Sequence, residues 1–228
     1  MRLSIVIPVL NDVDALAALL RLLRAPEYAG VEVLVADGGS DDGSPAMARA
    51  LGADAVLVTP AGRGAQLAAA TQFARGTWIW CLHADSTPEP GCVPWLLALP
   101  DQPGWGRFSV GLDGSPLLRL VGRCMNLRSR ITGIATGDQG IFVHRALLSE
   151  VGGVPRQPLM EDIELSRRLR RLTRPRCPTL KVHTSPRRWQ RNGVLRTILA
   201  MWRFRLRYWW GADPVDLARD YYRRPPAG

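Results

Sequence analysis

The stretch TWIWCLHADSTPEPG, from Thr77 to Gly91, is the part of the chain around which the rest is organised. Its first six residues, 77–82, form an aromatic and apolar run that predicts a short strand buried on both faces. Ligands of an open parallel α/β sheet collect at the carboxyl ends of its strands. Asp85, just past this strand, is therefore either a ligand of a hard cation such as Mg²⁺ or Mn²⁺, or a cap for a helix that Pro88 opens.

Three further apolar runs precede this strand. They cover Leu3 to Val9, Val31 to Ala36 and Ala55 to Val58, and helical patterns separate them. Strands and helices that alternate at this short spacing predict an α/β fold with a doubly wound, mostly parallel sheet and helices on both faces. Because the crossovers share a right hand, we expect the loops after the strands to lie at one edge of the sheet. These loops carry Asn11, Asp12, Asp37, Arg63, Gln66 and Asp85.

Charge is unevenly distributed along the 228 residues, whose formal net charge is +10. Residues 1–118 hold 7 arginines against 12 acidic residues, whereas residues 119–228 hold 23 basic against 8 acidic residues. The second half therefore faces something anionic: phosphates, nucleic acid or an acidic membrane surface. The four cysteines lie far apart without a metal-binding spacing, which predicts buried thiols and a reducing, cytoplasmic location.

Three motifs in the first half resemble those of a known family. SIVIPVLND at 4–12, VADGGSDDGS at 35–44 and LHADS at 82–86 are similar to glycosyltransferase family 2, whose members have the A-type glycosyltransferase fold. In detail the chain resembles small bacterial members found beside radical-SAM genes. The resemblance implies a metal-dependent transfer of a sugar from a nucleoside-diphosphate donor, expected to be a UDP-sugar, to a hydroxyl on a small molecule or lipid.

The resemblance also implies roles for single residues of the donor site. Asp37 binds the nucleobase, Asp85 is the last acid of a D-x-D motif and binds Mg²⁺ or Mn²⁺, and His83 stands where most members have the first aspartate. His83 is then either a neutral ligand or hydrogen-bond donor, or a structural residue. The expected donor and cofactor contacts are Pro8, Asn11, Asp12, Asp37, Arg63, Gln66, His83, Ala84, Asp85, Asp138, Arg187, Arg188 and Trp189.

A second acidic pair, Glu161 and Asp162, opens a helical pattern in the second half. Acids in a first helical turn are favoured by the helix dipole alone. The resemblance instead implies that Asp162 is the catalytic base and Glu161 its helper. Displacement of a nucleoside diphosphate in one step, with inversion, needs a carboxylate opposite the leaving group. We therefore expect Asp85 and Asp162 to open onto one cavity from opposite sides.

The segment around Trp189 carries the remaining site predictions. Many family members have Q-x-x-R-W here, but this chain has Ser185 in place of the glutamine, which favours non-processive transfer. Arg187 and Arg188 are expected to clamp phosphate, and Trp189 either stacks under a sugar or packs in the interior. The resemblance also makes His183 a possible metal ligand. Upstream, Asp138 either contacts a sugar or serves a turn.

The helix predicted from Val194 to Trp210 completes the chain's organisation. One face gathers Leu195, Ile198, Leu199, Trp202, Leu206 and Trp209, with arginines beside it. We expect this face to dock onto the domain; peripheral membrane contact is the alternative. We predict a single domain over 1–228, with a nucleotide-sugar half (1–100), an acceptor half (101–193) and C-terminal helices (194–228).

Other functions remain open at this point. Transfer to a polyprenyl phosphate, similar to dolichyl-phosphate-mannose synthase, is the nearest alternative because an anionic acceptor needs no strong base. A sugar nucleotidyltransferase shares the sheet and the metal. Nucleic-acid binding ranks last, because no recognised RNA-binding motif is present.

Overall fold

The computed structural model describes residues 1–185 and 187–222, apart from the side chains of residues 27, 188, 191 and 192. The strands are β1 (Leu3–Val9), β2 (Glu32–Asp37), β3 (Ala55–Val58), β4 (Trp78–Cys81), β5 (Ser86–Pro88), β6 (Trp105–Arg107), β7 (Ser109–Leu112), β8 (Ile141–His144) and β9 (Lys181–Thr184). The α-helices are α1 (Val13–Leu22), α2 (Ser44–Ala50), α3 (Arg63–Phe73), α4 (Cys92–Leu97), α5 (Pro116–Thr132), α6 (Arg145–Glu150), α7 (Glu161–Leu172), α8 (Arg187–Asn192), α9 (Val194–Trp209) and α10 (Pro214–Tyr222).

The main sheet has six strands in the order β3-β2-β1-β4-β8-β6. The first four strands are parallel, and β8 runs antiparallel to both β4 and β6. In the register of β1 with β2, Val9 lies opposite Asp37, so the two strands end level and their loops meet at one edge. This confirms the predicted α/β fold with a mostly parallel sheet.

Apolar strand residues bury the sheet between two helical layers. One layer packs α1, α2 and α4 against Trp78, Trp80 and Phe142, and the other packs α3, α6 and α7 against Val6, Ile79 and Val143. β1, β2 and β4 are buried along their whole length. Burial on both faces explains why these strands are continuous apolar runs in the sequence.

A three-stranded sheet, β5-β9-β7, lies beside the main sheet and changes three predictions. The sequence pattern from Trp105 to Leu112 predicts one strand, but this segment is broken at Phe108, whose N–H donates to the Gln139 carbonyl, so β6 and β7 join different sheets. Pro88 ends β5 instead of opening a helix, since α4 begins at Cys92. The sequence pattern predicts a strand from Arg176 to His183, but β9 covers only Lys181–Thr184. These pairings join residues distant in sequence, so local patterns cannot predict them.

Helix α9 packs through the face opposite to the one we expected. Thr197 and Phe204 are buried, and Phe204 contacts a cluster that includes Leu159 and Leu217. Trp202 and Trp209, on the face predicted to dock, are exposed. None of the helices within residues 1–185 and 187–222 is long and apolar enough to cross a membrane.

The cysteines are free thiols, as predicted. Cys81 and Cys92 are buried, and burial raises the pKa of each thiol to about 12. Cys124 is exposed, contrary to the expectation of burial, because it lies on the outer face of α5.

Candidate active site

A cleft of about 780 Å³ opens at the carboxyl ends of β1 and β4. Its volume suits a small-molecule ligand. The residues predicted from the strand ends meet here because the parallel strands end at the same edge. The predicted residues that line it are Pro8, Asp12, Arg63, Gln66, His83, Ala84 and Asp85.

The loops after β1 and β2 lock one another in place beside the cleft. Asn11, with φ of 52°, accepts a hydrogen bond from the Asp41 N–H (3.0 Å), and its own N–H donates to Ser40 Oγ (2.9 Å). Asp37 Oδ2 accepts from the N–H groups of Gly39 and Ser40, both at 2.9 Å. Asn11 and Asp37 are thus not lining residues of the cleft but hold its rim.

Asp37 nevertheless keeps one oxygen unused. The residue is buried, and Oδ1 has no hydrogen-bond partner within the described part of the chain. Buried acceptors are normally paired, so this oxygen is an unsatisfied acceptor behind the rim of the cleft.

Gln66 braces the floor of the cleft from helix α3. Its Nε2 donates to the carbonyl oxygens of Val9 (2.7 Å) and Ala36 (2.8 Å), which lie at the ends of β1 and β2, just before their loops. Gly38 lies tightly against the same side chain, 3.2 Å from Nε2 to the position of an added Cβ. Gln66 therefore fixes the spacing of the two strand ends as well as lining the cleft.

Asp85 offers a carboxylate to the cleft. No hydrogen bond or ion pair of this side chain is found with the side chains or backbone groups that the structure describes. Burial raises the pKa of Asp85, and the charges of Asp138 and Asp12 act in the same direction, while His83 and Arg187 oppose them. Arg187 Nη1 lies 3.6 Å from Asp12 Oδ1 at the same rim. A bound cation would relieve the repulsion among these three acids.

The donor set fits one hard cation with a diphosphate. Mg²⁺ typically takes one or two protein carboxylates and completes its shell with phosphate oxygens and water. Asp85 supplies such a carboxylate. Among residues whose placement is described, no group of three or more His, Cys, Asp or Glu side chains is arranged to hold a metal on its own.

His183 does not join Asp85, contrary to its suggested role as a ligand. It is absent from the cleft lining; Nδ1 lies 2.9 Å from Asp113 Oδ2 and Nε2 lies 3.6 Å from Glu89 Oε1. The reason is its place in β9, where it pairs opposite Thr87 rather than at a strand end.

Arg63, at the start of α3, links the cleft to the acidic pair of α7. Its Nε donates to Glu161 Oε1, and Nη2 lies 3.8 Å from Asp162 Oδ2. Burial disfavours the charged guanidinium, but Glu161 and Asp162 outweigh that effect and raise the pKa of Arg63. Gly64 permits this approach, because a methyl group there would overlap the carbonyl oxygens of Gln157 and Pro155.

Asp162 is held by the backbone on both oxygens. Oδ2 accepts from the Gly137 N–H (2.8 Å), and Oδ1 accepts from its neighbour's N–H at Ile163 (2.7 Å). Burial and the charge of Glu161 nevertheless raise the pKa of Asp162, and Arg63 and the two N–H groups only partly compensate. Its carboxylate is therefore more basic than that of an ordinary aspartate, as a general base requires.

The two key acids open onto different cavities, contrary to our expectation. Asp162, 12% exposed, lines with Glu161 a cavity of about 20 Å³ that is separate from the cleft of Asp85. His83 lines both spaces, and Arg63 reaches from the cleft to the acids. The cleft and the smaller cavity are separate because the paired side chain of Arg63 and the ring of His83 lie between them.

His83 itself sits among three polar neighbours. Nδ1 is 3.4 Å from Asp138 Oδ1, Nε2 is 3.4 Å from Arg63 Nη1, and the ring packs on Gly137, where no Cβ would fit. Asp138 belongs to the 3₁₀ turn Gly137–Gln139, so the turn places it next to His83 at the boundary of the two cavities.

The segment around α8 gives a mixed outcome. Trp189 packs against a cluster formed by Val110 and Leu118 and does not line the cleft, which favours the packing interpretation. Arg187 reaches the rim through Asp12, whereas the side chain of Arg188 lies outside the description.

Sequence reasoning missed two groups of residues. Arg219 and Tyr222 of α10, with Pro158, complete the cleft wall, although no motif marks them. Arg128, on α5, turns inward; within the described structure, its Nε and Nη2 are buried without hydrogen-bond partners. Burial lowers the pKa of Arg128, while Asp162 and Asp138 oppose that shift.

Comparison with known proteins gives a family match for part of the chain and the fold for most of it. Residues 4–105 match the family model described as Glycosyl transferase family 2. A comparison with curated proteins found no match.

Among solved structures, the mannosyltransferase PcManGT from Pyrobaculum calidifontis in complex with GDP-Man and Mn²⁺ is 21% identical, with a TM-score of 0.60 over 80% of this chain and 56% of that one. S. aureus TarS 1–349 in complex with UDP-GlcNAc is 17% identical, with a TM-score of 0.63 over 81% of this chain and 58% of that one. Glucosyl-3-phosphoglycerate synthase from Mycobacterium tuberculosis, with Mn²⁺ and UDP, is 21% identical, with a TM-score of 0.56 over 80% and 70%. The chain thus shares the A-type glycosyltransferase fold, and it spans less than two thirds of the first two proteins' lengths.

Proposed function

Because residues 4–105 match the model of glycosyltransferase family 2, we propose that the protein transfers a sugar from a nucleoside-diphosphate donor to an acceptor hydroxyl. The observation that carries this proposal is the cleft at the ends of β1 and β4, with the carboxylate of Asp85 open to it. Proteins of the same fold have been solved with GDP-Man and with UDP-GlcNAc, which supports a sugar nucleotide as the ligand.

The donor's nucleoside would lie along Pro8 and Asp12, with its diphosphate towards Asp85 and Arg63. Asp37 Oδ1, which lacks a partner in the described structure, would accept a hydrogen bond from the base. Asp85 would hold Mg²⁺ or Mn²⁺, which supplies positive charge to the departing diphosphate. Arg63 adds a guanidinium that its acidic partners keep protonated at any physiological pH.

The acceptor would be activated by Asp162. In an inverting displacement, the acceptor oxygen attacks the anomeric carbon, the bond to the diphosphate breaks, and the hydroxyl proton passes to the carboxylate. The raised pKa of Asp162 suits this task. Because Arg63 pairs with Glu161 and Asp162 in this structure, the base role requires Arg63 to turn towards the diphosphate when the donor binds. Glu161 would take part as the residue that holds Arg63 before that step.

A polyprenyl phosphate acceptor is a second candidate, and Arg128 favours it. The guanidinium of Arg128, whose buried Nε and Nη2 have no partner among the described residues, carries positive charge towards Asp138 and Asp162. A buried cation is costly unless an anion pairs with it, and an acceptor phosphate would be such an anion. A phosphate acceptor needs no proton removal, so activity in Asp162→Asn would favour this candidate over a hydroxyl acceptor.

Product analysis tests the proposed reaction. The protein is incubated with UDP-, GDP- or dTDP-sugars and Mn²⁺, and released nucleotides are separated by anion-exchange chromatography. We expect nucleoside diphosphate from one donor, with UDP-sugars favoured, and none from Asp85→Ala. Pyrophosphate formed instead from a nucleoside triphosphate and a sugar 1-phosphate would identify a nucleotidyltransferase and contradict the proposal.

A further inference from the structure

Two helices of the arginine-rich half each expose a continuous apolar stripe. Both stripes span fifteen residues along one helical face, and the fourteen steps of 1.5 Å between the first and the last residue give a length of about 21 Å. Residues three or four apart share a helix face, so each set is one surface. On α9 the stripe is Leu195, Leu199, Trp202, Leu206 and Trp209, and on α5 it is Leu117, Leu120, Cys124, Leu127 and Ile131.

The exposure of these stripes is a property of the folded protein. Trp209 is 80% exposed and Ile131 is 75% exposed, while the opposite faces of the helices bury Phe204 and Leu118. Both helices are therefore docked, and their apolar stripes point outwards. Contiguous apolar surface of this kind marks a contact site, unlike single exposed leucines.

The start of α9 lies near α5. Val194, at the start of α9, and Trp189, in α8, pack into the same cluster as Val121 and Met125 of α5. We refer to the exposed stripes of α5 and α9, with the arginines beside them, as the helical surface.

Charge identifies the kind of partner. Neither α5 nor α9 contains an aspartate or glutamate, and exposed arginines flank both stripes. Aromatic and aliphatic residues bordered by arginine are typical of helices that lie in the headgroup region of a bilayer, where anionic lipids attract each basic residue. A second copy of the chain would instead bring these arginines against each other across a twofold axis. The exposed arginines are Arg119, Arg123, Arg130, Arg196 and Arg203.

We propose that the helical surface binds an anionic lipid bilayer. Trp202 and Trp209 enter the interface between headgroups and acyl chains, and the arginines contact lipid phosphates. Helix α10 packs on α9, with Arg207 Nη1 2.6 Å from Asp220 Oδ2, and α10 also lines the cleft. The helix that contacts the bilayer thus packs against the helix that forms part of the cleft wall. This proposal stands on the helices alone and does not require the proposed reaction.

Vesicle flotation tests the proposal with the full chain. Vesicles of phosphatidylcholine with phosphatidylglycerol are compared with vesicles of phosphatidylcholine alone. We expect binding to the anionic vesicles, weakened at least about tenfold in Trp202→Ser/Trp209→Ser because two large apolar contacts are lost. Phe73→Ser, which removes an exposed aromatic from α3, is the matched control and should bind as the wild type does.

Charge variants separate the two contributions. Arg196→Gln/Arg203→Gln should weaken binding to the anionic vesicles by roughly 30-fold and leave the weak binding to neutral vesicles unchanged. Thermal unfolding of each variant checks that it is folded, and Leu127→Ser/Ile131→Ser on α5 provides an independent pair.

Three results would overturn the proposal. The first is a wild-type protein that does not float with anionic vesicles, and the second is a tryptophan variant that floats as well as Phe73→Ser. The third is a wild-type dimer by analytical ultracentrifugation that becomes monomeric in the tryptophan variant without any vesicle binding, because the surface would then be covered by a second copy.

Discussion

Arg63 is the residue on which the two halves of the site depend. It lines the cleft of Asp85 and pairs with Glu161 and Asp162, which line the smaller cavity. A guanidinium with five fixed donors can contact carboxylates and phosphates in the same way. The structure therefore shows a cation whose present partners are acids and whose proposed partner is the donor's diphosphate.

Replacing Asp162 with asparagine should show whether Asp162 is the catalytic base or only holds Arg63 in position. If Asp162 takes the acceptor's proton, kcat falls by about 10²–10⁴-fold, while KM for the donor stays within about threefold. The measurement is steady-state kinetics with varied donor. A large rise in the donor's KM with little change in kcat would mean that Asp162 only positions Arg63.

The pH profile of kcat should report the raised pKa of Asp162. The base works when deprotonated, so kcat falls as the pH drops through this pKa, which burial and Glu161 place above the ordinary aspartate range of about 3.9. In Glu161→Gln one cause of the shift is removed, so the acidic limb should move to lower pH. A limb that stays in place would assign it to another group.

At the scale of elements, the sequence predicted the bounds of strands better than it predicted which face of a helix is buried. β1 and β3 have the predicted bounds, because an apolar run between polar turns marks a buried strand directly. The position of Asp85 at a strand end followed from the same pattern. The prediction of the face through which α9 docks was wrong, because a helix with apolar residues on all sides does not indicate which face packs against the domain.

The cleft wall from α10 could not be predicted for a related reason. Arg219 and Tyr222 reach the cleft only because α10 packs against α9 and the segment with Leu159, contacts between residues far apart in sequence. The separation of Asp162 from Asp85 likewise depends on where Arg63 and His83 point. Motifs identify such residues, but side-chain packing decides which space each one faces.

Arg219 should contribute to donor binding from α10. Arg219→Ala is expected to weaken donor affinity about tenfold, because it removes a guanidinium from the cleft wall. Arg21→Ala on α1, an exposed arginine away from the cleft, is the control. Isothermal titration with the donor and Mn²⁺ measures both; equal affinities for the two variants would remove α10 from the donor site.

Two glycines should respond to alanine with opposite signs. Gly64→Ala forces α3 away from the carbonyl oxygens of Gln157 and Pro155 and should destabilise the protein by about 1–3 kcal/mol. Gly122 lies inside α5 with room for a methyl group, so Gly122→Ala should stabilise by about 0.5–1 kcal/mol. Urea unfolding measures both, and a neutral Gly64→Ala would show that the 155–157 segment adapts freely.

For the whole molecule, the distribution of charge favours a cation at the cleft. The acids Asp12, Asp85 and Asp138 meet there and raise the pKa of Asp85 together with its burial. A diphosphate brings further negative charge to the same place. Arg63, Arg187 and Arg219 supply only part of the balance, so a divalent ion between Asp85 and the diphosphate is the central claim of this account.

The most direct test is isothermal titration of the donor with and without Mn²⁺, using the wild type, Asp85→Asn and His183→Ala. We predict that the wild type and His183→Ala bind the donor only with Mn²⁺, and that Asp85→Asn loses this metal-dependent binding. Equal donor affinity with and without the metal, or metal-dependent binding that survives in Asp85→Asn, would contradict the account.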